Sequence, residues 1–155
     1  MSDQHILELL LADIETAQQL LILLEQEFSA LSERDLDALQ VLLVKKQPAL
    51  RTLEQHTAER GQLLLQSNTT ADLQGLQQLA ARSPLESQLL DSSAQLNSLI
   101  EQCQAANLRN GRLIRSNQTS VSSMLNIIRG TDTPSLYDKT GSAASTNKQR
   151  PFSQA

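Results

Sequence analysis

The sequence predicts an all-α fold: an antiparallel helical hairpin, a long third helix that completes an up-down-up bundle or coiled coil, and a disordered C-terminal tail. Three observations carry this. Thirty of the 155 residues are leucine and glutamine is frequent, and both are good helix formers. Aromatics are only 2% and β-branched residues are scarce, so the side chains that fill sheets are missing. Five glycines and four prolines are too few to turn a chain through a sandwich or a doubly wound sheet, whereas long helices need hardly any.

The first helix is expected over residues 3–32. Ser2 and Asp3 offer N-caps, and Ile6, Leu10, Ala17, Leu20, Leu24, Phe28 and Leu31 follow at helical spacing, with Phe28 in the core. A second row, Leu7, Leu11, Ile14 and Leu21, widens the apolar stripe, so this helix should touch two neighbours. The second helix, 35–66, starts from Ser32 and Asp35 as caps and continues through Leu36, Leu39, Leu43, Leu50, Leu53 and Leu64. Pro48 lies inside it, and because the spacing resumes in phase the expectation is a kink, not an end. Residues 67–71 are a polar break. A short helix over 72–82 places Leu73, Leu76 and Leu79 three apart, weakened by Gly75. The run Ser83-Pro84-Leu85-Glu86 is a start signal for the last helix, 84–129: a serine cap, a proline at the first helical position and a glutamate for a capping box.

The seam of that last helix reads Leu85, Leu89, Leu96, Ile100, Cys103, Asn107, Asn110, Ile114, Asn117, Val121, Met124 and Ile128, ending at Arg129-Gly130. Residues 1–130 form the expected helical bundle. From 131 to 155 periodicity vanishes, and Pro134 and Pro151 forbid a continuous helix, so a flexible tail is expected.

The helices do not match in length. At 1.5 Å per residue the three long ones span roughly 45, 50 and 70 Å, so about 20 Å of the last is expected to outrun its companions. That half carries Leu113, Ile114, Val121, Met124, Leu125, Ile127 and Ile128, an apolar face costly to leave in water. A partner protein, a second copy of the chain in a homodimer, or the tail folding back would each cover it. Asn107, Asn110 and Asn117 on the same seam trade stability for partner choice, unless they simply mark the end of the core. Gly111 in mid-helix admits a second backbone closely.

Charge narrows the function classes. The net charge is −4 and the pI near 5.1, which argues against nucleic acid as the partner. Residues 1–40 hold nine acids and one arginine. The plain reading is attraction between packed helices of opposite sign, with the first helix's acids on its solvated face. Arg109, Arg112 and Arg115 pair with that helix or with a partner's carboxylates. A lone Cys103 and the absence of a signal-peptide pattern point to the cytoplasm. No apolar run approaches the roughly 20 residues of a membrane span.

An enzyme needs convergent reactive groups. His5 and His56 have no second ligand at metal spacing, Cys103 sits on an apolar seam, and no phosphate loop or nucleophile elbow is present. No catalytic residue, metal or cofactor is expected. Tyr137 stands out as an aromatic in a polar tail, either an anchor for a partner or a clip onto its own helices.

The stretch Asn107-Leu108-Arg109-Asn110-Gly111-Arg112-Leu113-Ile114, then Val121, Leu125 and Leu136-Tyr137-Asp138 with Gly141, resembles the FlgN family of flagellar export chaperones. Leu31, Asp35, Leu39, Lys46, Leu50, Leu53 and Arg60 agree with that family's leucine-rich hairpin. The resemblance implies a cytoplasmic, non-enzymatic chaperone of flagellar type III export. It would hold hook-associated proteins 1 and 3 by their C-terminal helical segments and bring them to the export gate. Client contacts would fall on Asn107, Asn110, Gly111, Leu113, Ile114, Val121, Met124, Leu125 and Ile128, with Tyr137 docking at the gate. Residues 67–82 match nothing in the family pattern. The competing reading is a structural coiled coil that assembles with itself through the same face.

Overall fold

The computed structural model describes the backbone of residues 2–129, 146–147 and 150–151, and the side chains of residues 2–117. Among the described residues four helices follow one another: α1 Ser2–Glu33, α2 Leu36–Gln66, α3 Leu73–Ala80 and α4 Glu86–Arg129. Thr146–Asn147 (β1) and Arg150–Pro151 (β2) pair antiparallel, Thr146 opposite Pro151. The chain divides into two compact units, residues 1–110 and 111–155. The expected tail, apart from the β1–β2 pair, and the Gly130 cap lie outside the described residues.

Local chemistry sets each boundary in the first unit. Arg34 adopts φ 57°, and the two amides that follow α1 turn back, Arg34 to the Leu31 carbonyl and Asp35 to that of Ala30. This is the Schellman closure, made here without glycine. Asp35 then caps α2 by accepting from the Ala38 amide at 3.1 Å. α2 runs unbroken through Pro48. The carbonyl that loses its partner there, on Val44, belongs to a residue 71% exposed and can take water instead. Asn68, at φ 63°, repeats the Schellman closure after α2, with Asn68 bonded to Leu65 and Thr69 to Leu64.

Asp72 caps α3 through the Gly75 amide at 2.9 Å and accepts the Thr70 hydroxyl at 2.5 Å. These bonds hold its carboxyl below the usual 3.8, the Thr70 hydroxyl contributing most. Gly75 is required by space: a Cβ there would lie 1.7 Å from the Thr70 carbonyl oxygen. α4 starts at Glu86, two residues later than expected, the Leu85 carbonyl accepting its first bond from Leu89; Ser83 lies just ahead, its hydroxyl accepting from the Leu85 amide at 3.0 Å. It donates to Asp3 at 2.6 Å, tying the start of α4 to the start of α1 and lowering the Asp3 pKa.

The core of this unit is two clusters. Ile6, Leu10, Ile14 and Ala17 of α1 meet Leu64 of α2, Leu76 and Ala80 of α3, and Leu89 and Leu96 of α4. Farther along, Leu20 and Leu24 meet Cys103 and Ala106, with Leu21, Ala49 and Leu53 alongside. α1 therefore touches two neighbours, as its wide stripe requires.

Several side chains depart from expectation. Phe28 is 36% exposed, not core, and Leu11 is exposed as well. On α2 the expected core row of Leu36, Leu43 and Leu50 faces water, at 70, 51 and 45% exposure. The row that packs is Leu42, Lys46, Ala49, Leu53, His56 and Arg60, stepping by four and three. The same steps run through Ile6, Leu10, Asp13, Ala17, Leu20, Leu24, Glu27 and Leu31, all buried, on α1.

Candidate functional site

Within the first unit, α4 lies on α1 through Cys103, Ala106 and Asn110, all buried. The seam steps from Cys103 to Ala106, and Asn107, expected on it, is exposed. Cys103 donates weakly to the Ala17 carbonyl at 3.6 Å, and burial pushes its thiol pKa up. A raised pKa suits a structural thiol, not a nucleophile.

Asn110 is 1% exposed. Its Nδ2 donates to the Leu24 carbonyl at 2.8 Å and to Glu27 Oε1 at 2.9 Å. Its Oδ1 accepts from Arg109 Nε and Nη2 at 3.2 and 3.1 Å. The amide is spent inside the chain, so Asn110 locks α4 to α1 in place of the open client contact the resemblance implied. Glu27 also accepts Lys46 Nζ at 2.9 Å, so Lys46, Glu27 and Asn110 form one polar chain across α2, α1 and α4. Arg109 completes the junction. Its guanidinium lies 4.0 Å from the Phe28 ring centroid, and Nη1 reaches Glu25 at 3.3 Å.

A second buried polar group lies lower on the hairpin. Asp13 is fully buried and accepts from His56 Nδ1 at 2.6 Å and from Arg60. Asp13 and Glu27 are thus interior partners of α2's bases, not part of a solvated face. At the hairpin's open end His5 Nε2 sits 2.6 Å from Glu59, whose hydrogen bond raises the His5 pKa above 6.5. Each polar pair is matched in sign across two helices, which suits orientation and register rather than chemistry. Among the described residues no group of three or more His, Cys, Asp or Glu side chains is placed to hold a metal ion, and no helix is long and apolar enough to cross a membrane.

The second unit begins in mid-helix. Gly111, Leu113 and Asn117 are half-buried, while Arg112, Ile114 and Arg115 are exposed, Ile114 at 37%. A Cβ on Gly111 would meet only Arg115 Nη1 at 3.7 Å among the described residues, an ordinary contact. The side chains of Val121, Met124, Leu125 and Ile128, and all of Tyr137, lie outside the described residues. Leu108, in the first unit, is 55% exposed; it lies in the family stretch but outside the expected client contacts, and the bare α2 leucines were expected in the core, since a leucine row reveals a face and not its cover.

The chain matches the family model described as FlgN protein over residues 1–145. A crystal structure of a flagella synthesis protein FlgN from Pseudomonas aeruginosa is 41% identical, with a TM-score of 0.69, covering 79% of this chain and 94% of that one. A search of curated proteins found no match.

Proposed function

The chain belongs to the FlgN family, and from that premise we propose that it is a cytoplasmic chaperone of flagellum synthesis, acting by binding and not by catalysis. Its clients are the hook–filament junction proteins, hook-associated proteins 1 and 3. It holds their C-terminal helical segments, prevents early assembly and delivers them to a component of the type III export gate.

The observation that supports this reading is the exposure of Ile114, at 37%, within the family's Asn-Gly-x-Leu-Ile run. A large aliphatic side chain left in water on a regular helix is the anchor that an amphipathic client helix would cover. Client contacts run from Asn107 through Gly111, Leu113 and Ile114 to Val121, Met124, Leu125 and Ile128, with Asn110 acting from behind as the lock on α1. Tyr137 docks at the export gate in this reading.

Ile114→Asp should abolish binding of a hook-associated protein 1 C-terminal fragment in a pull-down, with far-UV circular dichroism unchanged. Full binding by the folded variant would refute the assignment. The same preparations test self-assembly, because a structural coil would form a stable oligomer at micromolar concentration with no capacity for the fragment.

A further inference from the structure

α3 is a short amphipathic helix seated between α2 and α4. Its Leu76 and Ala80 pack with Leu64 of α2 and with Leu89 and Leu96 of α4. Beside it an open groove of about 280 Å³ remains, lined on α2 by Thr57 and Leu64 and on α4 by Ser93 and Ile100. Each pair is one heptad apart, so each marks the edge its helix turns toward the groove.

The same heptad steps back along α2 to Leu50, Leu43 and Leu36, and forward along α4 to Asn107. The three leucines grow barer with distance from α3, from 45 to 51 to 70% exposed. α3 covers this edge of α2 only at Leu64, and from Thr57 upward the edge is exposed.

We propose that the groove beside α3, extended by the bare Leu50, Leu43 and Leu36 row of α2, takes a helix of the client, laid along α2 in continuation of α3. Continuity with the α3 interface defines the occupant: an amphipathic helix whose leucines or isoleucines recur at helical spacing, as Leu73, Leu76 and Leu79 do in α3. The flanking positions Gln40, Gln47, Gln104 and Asn107 are uncharged amides, and Arg51 and Glu54 at the lower end oppose each other in sign. The matching helix has uncharged polar flanks, and its affinity is nearly independent of salt. Residues 131–155 do not supply it, since they contain one leucine and two prolines. The inference rests on the chaperone reading and adds α2 to a client surface otherwise confined to α4.

The full-length chain is titrated calorimetrically with a hook-associated protein 1 C-terminal fragment, as wild type and as the Leu43→Glu, Leu50→Glu double variant. The double variant should bind at least about tenfold more weakly, with unchanged helical content, because both side chains are solvent-exposed in the free protein. Should the glutamates unfold the chain, the Leu43→Gln, Leu50→Gln pair replaces them with the same loss expected. Equal binding by wild type and folded variant overturns the α2 groove and leaves the chaperone reading standing. A wild type that binds no junction-protein fragment overturns both. A wild-type dimer that the double variant converts to monomers assigns the row to a second copy, and overturns the inference.

Discussion

Asp13 shows how a single residue can be misread from sequence. An aspartate amid helix-forming polar residues looks like solvated surface, yet it stands in a strict four-three row with Ile6, Leu10, Ala17 and Leu20, and the structure buries it completely. The signal was present in the spacing. What the spacing cannot supply is the partner: His56 and Arg60 lie 43 and 47 residues away, and only chain reversal brings them together. Removing one member of such a group leaves the others uncompensated, which costs more than the group contributes as a whole. Asp13→Ala should therefore lower stability by about 3 kcal/mol, measured by urea unfolding. A loss below about 1 kcal/mol would mean that water already screens the site. Asn110 teaches the same lesson from the other side. An asparagine on a seam was legible as a specificity device, but its satisfaction by Leu24, Glu27 and Arg109 was not.

The helices themselves were legible because their ends are written in local chemistry. Asp35 and Asp72 cap as their type requires, Ser83 ties the turn that leads into α4, and α2 continues through Pro48 as the periodicity does. The left-handed residues Arg34 and Asn68 carried less signal, since neither is glycine. α3, expected over 72–82, runs from Leu73 to Ala80, and only the part Gly75 plays in it differs from expectation. Gly75 weakens the expected helix by propensity, whereas in the fold it is the residue that lets α3 begin, because the Thr70 carbonyl occupies the space a side chain needs. Gly75→Ala is thus expected to invert the usual ranking. In place of the helix-propensity gain of about 1 kcal/mol, it should cost roughly 2 kcal/mol as the Thr70–Asp72 turn is displaced. Thermal melting decides the sign, and a raised melting temperature would show that the turn moves aside freely.

Across the whole molecule, polar pairs link the helices and give stability a defined pH response. Asp3 and Asp72 have folded pKa values below 3.8. Their contributions are present above that value and are lost as pH falls through the lowered ones. His5 has a folded pKa above 6.5, so its contribution is complete below 6.5 and disappears as pH rises through the raised value. The melting temperature should fall on both sides of an interval between about 4 and 6.5. His5→Asn should remove part of the alkaline decline, and an identical decline in the variant would show that Glu59 gives His5 no net stabilisation. At this scale the sequence by itself determined that the chain is helical, where its helices start and stop, and which family it resembles, because caps, periodicity and short motifs act between residues close in the chain. Which leucine row of α2 is buried, which acids are interior and which asparagine is locked depended on packing. A helix offers several faces of similar hydrophobicity, and the choice among them belongs to the neighbours that arrive from 19 to 83 residues away in the chain.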